Sequence, residues 1–444
     1  MRIQLSDHFT YRKLLRFSLP SVLMMVFTSI YGVVDGFFIS NFAGDIPFKA
    51  VNLILPYVFI VATVGFMFGS GGTALVANTY GTGDKQRANR YFSLLVYVAL
   101  IVAVVCAAVS FVFMEPISAM LGAEGEILDN CVLYGRVLMC SMPFAVMQYL
   151  FQSFFVAAEK PKIGLAVILA AGVTNMVLDA VLVTMLPQQH KLLGAAIATA
   201  TSQVIGGGVP LLYFFSKNSS FLRLGKTRFD GKAILRACTN GSSEFMSNIA
   251  MNLVGMIYNI QLLQFAGDDG VAAYGVMMYV GMIFAGIFMG YSIGTAPVIS
   301  FHDGAGNHEE KKGVLRKSLV IVGITSGVML VVAELLAVPL SKIFVSYSDS
   351  LLEMTVGGMR IFSLCYLFMG FAIYASSFFT ALNDGLTSAI ISFLRTMVFQ
   401  LGAVFLMPML WGLDGIWFSV VVAEVMAVEF SAVFMAAKRK KYHY

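Results

Sequence analysis

Charge is scarce in this chain. Asp, Glu, Lys and Arg make up only 12% of its 444 residues, where a soluble globular domain carries about 25%, so there is too little polar surface to cover a core in water. That excludes a water-soluble enzyme. Cysteine is scarce too. Cys106, Cys131, Cys140, Cys238 and Cys365 stand singly, without CxxC spacing, and read as small core residues, not a metal site or a disulfide framework. The five histidines lie at termini, loops or helix ends with no HExxH spacing. Neither GxxxxGK[ST] nor GxGxxG occurs, so energy from ATP would need another chain. Gly290, Ser292 and Gly294 do spell GxSxG, but within an apolar helical run that offers no strand-to-helix elbow.

What the chain has instead is 59% apolar residues, including 38 Phe and 27 Met, together with 41 Gly. Its solvent must be lipid. At about 20 residues per span, the length accommodates a dozen helices and no large aqueous domain. Apolar runs between polar or glycine-rich punctuation number twelve, from Leu14–Phe42, Val51–Tyr80 and Tyr91–Met114 to Met354–Leu382, Ser388–Leu410 and Ile416–Ala437. The basic stretch Met1–Arg16 leads into a long first run without a cleavage site, so that run is expected to be retained.

With the N-terminus inside, the segments expected to be cytoplasmic hold 23 of the 29 Lys and Arg residues, as the positive-inside bias requires. The net charge of +5 is therefore a topology signal, and no nucleic-acid partner is implied. An even number of helices puts both termini in the cytoplasm. The most basic loop, Lys217 to Arg236, lies mid-chain and divides the protein into a lobe of residues 1–216, a linker of 217–237 and a lobe of 238–444.

The two lobes are related. At an offset of 223, Gly71, Gly81 and Gly83 fall on Gly294, Gly304 and Gly306. At 224, Arg136 falls on Arg360 and the QSFF run ending at Phe155 on the SSFF run ending at Phe379. At 221, Pro187 meets Pro408 and Gly194 meets Gly415. Three blocks in one order predict an all-α polytopic membrane protein, twelve transmembrane helices in two pseudo-symmetric six-helix lobes.

Duplicated scaffolds share packing, so function is sought where the symmetry fails. Asn175 and Asp179 of helix 5 correspond to Thr396 and Gln400, leaving the carboxylate in the first lobe only. An ionisable group within the membrane costs at least about 2.5–3.5 kcal/mol and defaults to a functional hypothesis. Asp35 of helix 1, Asp179, Asn175 one turn before it and Thr199 of helix 6 all reach the outer half of the first lobe. Together they could coordinate sodium through oxygen. Equally, the two carboxylates could share a proton, since close carboxylates in a low dielectric resist double ionisation. The alternative is that each acid separately bonds a helix terminus or faces water. Pro20, upstream in helix 1, permits a kink and a moving part, or only a static bend.

In the second lobe, Glu244, Arg395 and Glu429 fall in the inner third, and Arg395 is expected to pair with one or both acids. This cluster is structural or contacts a cationic substrate. Arg136 and Arg360 lie near the outer interface, where they can snorkel. Glu334 and Glu424 have no assigned role.

Five runs resemble multidrug and toxic compound extrusion (MATE) transporters: VDGFFIS with Pro20 upstream, GTALVANTYGTGDK, QSFFVAAEKPK, TNMVLD and LLGAAIAT. The resemblance spans the whole chain, and GSSEFMSNIAMN in helix 7 is similar to a staphylococcal-type multidrug subgroup. It implies efflux of organic cations and amphipathic drugs, driven by inward sodium or protons, through a V-shaped cavity that alternates its opening. In one prokaryotic branch the cation site lies in the first lobe, at positions matching Asp35, Asn175, Asp179 and Thr199, with bending of helix 1 mapping to Pro20. Other branches place acids in helices 7 and 10. Here helix 7 has Glu244, whereas helix 10 has no mid-membrane acid.

The expectation is thus a cation-coupled antiporter in the cell (inner) membrane. Its partners are small cationic or amphipathic molecules and the bilayer, it carries no cofactor beyond the coupling H+ or Na+, and it acts as a monomer. The rivals are a lipid-linked precursor flippase, which would favour extra helices and a basic cavity, and a membrane-embedded enzyme, for which no nucleophile or metal constellation is present.

Overall fold

The computed structural model describes residues 3–345 and 348–444. Met1 and Arg2, at the start of the basic N-terminal stretch, lie outside the described residues. The first lobe holds α1 (Tyr11–Phe38), α2 (Asp45–Gly81), α3 (Lys85–Val112), α4 (Gly125–Ala157), α5 (Pro161–Met185) and α6 (Lys191–Phe215), with a short helix, Met114–Met120, after α3. The second begins with one long helical run, Gly231–Gly304, broken where Gly267 takes φ 62° and ψ −152°, which makes α7 (231–266) and α8 (268–304). Next come α9 (His308–Val345) and α10, whose halves Asp349–Ser363 and Tyr366–Ala381 are bent by 46°. A last run from Gly385 to Tyr442 breaks at Gly412 (φ 56°) into α11 (385–411) and α12 (413–442).

Among the described residues, nine helices are long and apolar enough to cross a membrane, or ten with the bent pair as one span. The reversals at Gly267 and Gly412 divide two of these, giving twelve crossings in two six-helix lobes.

Local chemistry starts the helices. Thr10, Asp84, Asp230 and Asp384 each accept the backbone N–H three residues on, at 3.3, 2.9, 3.1 and 3.3 Å, satisfying donors that a helix start leaves free. Polar helix ends can extend past the hydrocarbon, which explains two differences from the hydropathy pattern. Helix α2 starts at Asp45, not near Val51, and α7 starts at Gly231, inside the stretch read as linker.

The repeat shows in the backbone. Gly44 and Gly267, at the turns after α1 and α7, both have positive φ, as do Gly83 and Gly306 after α2 and α8. Glu159 (φ 59°) and Asn383 (φ 58°) do so four residues beyond the related Phe155 and Phe379. A non-glycine residue seldom adopts that conformation, so its recurrence at the 224-residue offset records the duplication independently of helix content.

Each lobe has its own apolar core, but Leu14, Phe17 and Met24 of α1 pack into that of the second lobe. The lobes meet along α1/α8, α2/α7 and α2/α8 in the half of the bundle that carries both termini. Repeat-related glycines permit a close approach there: a Cβ on Gly81 would sit on the Phe301 carbonyl, and one on Gly304 on the Asn78 carbonyl. Polar contacts seal that face. Asn78 donates to Asp303 Oδ2 (3.1 Å), and the buried Lys311 Nζ meets Asp303 Oδ1 (2.8 Å) and the Tyr442 carbonyl (2.5 Å). The N-terminal segment straps across the lobes, with Leu5 N–H donating to Glu159 of the first (2.9 Å) and Phe9 N–H to Glu310 of the second (2.8 Å).

Candidate functional site

The first-lobe acids sit on neighbouring helices. Asp35 lies on α1 one turn before a π-helical turn, Ile39–Ala43, and Asp179 lies fully buried on α5. Their carboxyl groups come within hydrogen-bonding reach of each other. Thr199 of α6 donates to Asp35 Oδ1 at 3.5 Å, and Asn175, 1% exposed, stands one turn from Asp179 on the same helix. No donor among the described residues reaches either Asp179 oxygen or Asn175 Oδ1. Buried oxygens left without donors are costly, and a proton or an alkali cation would satisfy this set. The donors here are carboxylate, amide and hydroxyl oxygens, so the site suits a proton or a singly charged hard ion better than a soft transition metal.

Two residues near this pair were not anticipated. Tyr134 of α4 is fully buried, and its hydroxyl faces Asp35, Asp179 and Thr199. Tyr31, one turn before Asp35, accepts from Gln148 Nε2 at 3.2 Å. The symmetry test could have found Tyr134, since its counterpart at offset 224 is Gly358.

Pro20 is buried within an unbroken α1, where α1 approaches the start of α5. The irregular turn of this helix falls at its other end, past Asp35.

A cavity of about 1050 Å³ lies between the lobes. The first lobe contributes Ser70, Thr73 and Ser153 to its wall, and the second contributes Ser376, Thr380 and the charged pair Glu244 and Arg395. Arg395 sits in a π-helical turn, Leu394–Phe399. A second cavity of about 750 Å³ shares Met251, Met289 and Arg395 with the first and adds Met278, Met282 and Met369. On its wall Tyr258 and Tyr274 stack at 5.2 Å. Flexible thioethers and aromatic faces suit varied apolar and cationic ligands.

The charge cluster differs from the expectation. Arg395 pairs with Glu424: Nε lies 3.0 and 2.9 Å from its two oxygens and Nη2 lies 2.8 Å from Oε1. Glu424 is fully buried, while Glu429 is exposed and takes no part. Five residues turn a helix by about 140° from where it began, so the two glutamates of α12 cannot serve one face. Glu244 faces Arg395 across the cavity, but the guanidinium fork is engaged by Glu424. Two acids and one base leave one negative charge there. Elsewhere, Arg360 lies near Glu334 (3.9 Å), which accepts from Ser363 (2.7 Å).

A twelve-crossing bundle of two related lobes, with a cavity of mixed polarity between them and a separate carboxyl pair inside one, is a multi-pass membrane transporter. The MatE family model matches residues 20–181 and again 245–406, once in each lobe, and the chain belongs to that family. It is similar to a multidrug export protein, MepA, of Staphylococcus haemolyticus, at 24% identity over 96% of this chain and 93% of that one. The MepA of Staphylococcus aureus is 25% identical over 93% of this chain and 91% of its own. Among solved structures, a MATE protein in complex with MaL6 superimposes with a TM-score of 0.91 at 20% identity, over 98% of both chains. An outward-facing multidrug resistance MATE family transporter gives 0.90 at 20%, over 98% of this chain and 97% of that one.

Proposed function

We propose that this protein is a secondary active multidrug exporter of the cell membrane, exchanging organic cations and amphipathic drugs for inward-moving protons or sodium, with both termini cytoplasmic and one chain as the working unit. The observation that carries the reading is a division of labour between the lobes. A carboxyl pair, of which Asp179 is fully buried and without a donor among the described residues, sits inside the first, and the cavity between the lobes keeps one uncompensated carboxylate, Glu244. The first suits a small cation or proton; the second suits a large organic cation. The similarity to staphylococcal multidrug export proteins supports export of drugs.

Cation occupancy at Asp35 and Asp179 would favour one facing state, and reciprocity makes drug binding favour cation release. Helix α1, with Pro20 in its terminal half, is the proposed moving part. An anionic lipid-linked headgroup would need a free cation in the cavity, and Arg395, the basic residue on its wall, is held by Glu424.

Transport of a fluorescent organic cation in proteoliposomes, under imposed proton or sodium gradients, tests the reading. Gradient-driven efflux is expected for the wild type and lost in Asp35→Asn. Wild-type rates in that variant would overturn the coupling role. A protein that moves the dye under neither gradient would overturn the whole assignment.

A further inference from the structure

A groove of about 1320 Å³ runs between α1, α8 and α9 in the terminal half of the bundle, apart from both sites above. Its α1 wall is the series Arg12, Leu15, Arg16, Leu19 and Val22, whose spacing of three and four places them on one helix face. Leu15 is 46% and Leu19 53% exposed. Across from them stand Ile287, Phe288 and Ile321.

Two of the three hydroxyls on the wall are engaged: Ser18 donates to the Leu14 carbonyl at 2.9 Å and Tyr291 to Ser318 at 2.9 Å, and Thr325 is the third. The groove is therefore mainly apolar along its length and cationic at its end. There Arg12 and Arg16 lie one turn apart, and among the described residues neither forms an ion pair. Lys160 and Lys162 line an adjoining pocket that also contains Arg16. The acid of that pocket, Glu159, accepts the Leu5 N–H.

We propose that the groove holds one phospholipid with an anionic headgroup, its phosphate between Arg12 and Arg16 and an acyl chain along Leu15, Leu19 and Phe288. A guanidinium fork matches a phosphate with two parallel hydrogen bonds, and basic pockets between helices near the membrane surface attract anionic lipid. The site straddles the seam between lobes, because α1 belongs to the first and α8 and α9 to the second. It lies where Gly294 admits the Ser18 side chain, 2.7 Å from an added Cβ. A lipid seated there bridges the lobes and favours the closed terminal face. The assignment does not depend on which substrate or ion the transporter moves.

The test is native mass spectrometry of the full-length protein with equimolar phosphatidylglycerol and phosphatidylcholine of identical chains. The wild type should retain phosphatidylglycerol preferentially. Each basic residue near an anionic headgroup contributes roughly five-fold, so Arg12→Ala with Arg16→Ala should cut that preference by roughly 25-fold. Arg90→Ala with Lys232→Ala, equal in charge lost and on the same face, should leave it unchanged. Ile321→Trp, which fills the groove while keeping both arginines, should release the lipid. Absence of a preference in the wild type, its survival in the Arg12/Arg16 variant, an equal fall in the Arg90/Lys232 control, or full retention in Ile321→Trp would each overturn the proposal.

Discussion

Replacing Glu244 by glutamine removes the one uncompensated charge of the inter-lobe cavity while keeping its shape. Two unit charges 4 Å apart attract by about 1 kcal/mol in bulk water and about 4 kcal/mol at an effective dielectric near 20. Glu244 is neither fully exposed nor fully buried, and its cavity is lined by hydroxyls as well as methionines, so a value of about 2 kcal/mol is expected, a loss of roughly 30-fold in affinity for an organic cation. A neutral ligand of the same shape should lose almost nothing. The ion pair supplies an independent route to the same outcome: Glu424→Gln frees Arg395 to turn toward Glu244, neutralising the cavity from the other side. Breaking a buried pair also costs about 3–5 kcal/mol of stability, so binding must be normalised to folded protein. Fluorescence polarisation with a cationic dye and its neutral isostere reads both variants. Equal losses for the two ligands in Glu244→Gln, or tighter cation binding in Glu424→Gln, would refute the electrostatic reasoning.

Other perturbations address the scaffold. Gly81→Leu places a side chain on the Phe301 carbonyl, which overpacks α2 against α8 by about 1–3 kcal/mol. A cysteine introduced at Ser70 on the cavity wall should then react faster with a membrane-impermeant thiol reagent applied from the terminal face; an unchanged rate would show that the seal tolerates the substitution. Asp384 is desolvated, but Lys438 (3.0 Å), Tyr442 (2.8 Å) and the Thr387 cap outweigh this and hold its carboxyl below the usual carboxylate range. A depressed folded-state pKa contributes stability above the unfolded value of about 3.9 and loses it as the pH falls through the folded value. The melting-temperature gap between wild type and Asp384→Asn should therefore be open at neutral pH and shrink below about pH 4. A gap constant over that window would contradict the ion-paired assignment.

The twelve crossings and their duplication were legible because apolar length and glycine spacing are local properties. The proximity of Asp35 to Asp179 and Thr199 was legible as well, since a common depth along neighbouring spans follows from counting residues. Depth alone did not assign the partner of Arg395. That required the helix face, and the face was written in the sequence: Glu424 is spaced three and seven residues from Ala427 and Ser431, both buried in the structure, whereas Glu429 is not on that stripe. The strap formed by Leu5 and Phe9 was invisible for a different reason. It uses backbone N–H groups against Glu159 and Glu310, more than 150 and 300 residues away, and backbone donors leave no mark on composition.

Helix α1 joins features that otherwise lie far apart. Its C-terminal half carries Asp35, next to the π-helical turn and against Asp179 and Thr199 of its own lobe. Its N-terminal half gives Leu14, Phe17 and Met24 to the core of the opposite lobe and meets α8 at Gly290 and Gly294. A ligand shifts a conformational equilibrium only by its differential affinity for the two states. On the proposed reading, cation binding would bias the lobes through an element that packs against both of them, as α1 does. The charge asymmetry between the lobes has a consequence in the same terms. The first lobe has Ser21, Thr174 and Gln203 where the second has Glu244, Arg395 and Glu424 at the repeat offsets. On the proposed reading the duplicated frame would keep the two kinds of cation on different helices, and a change in the way the lobes pack would link them.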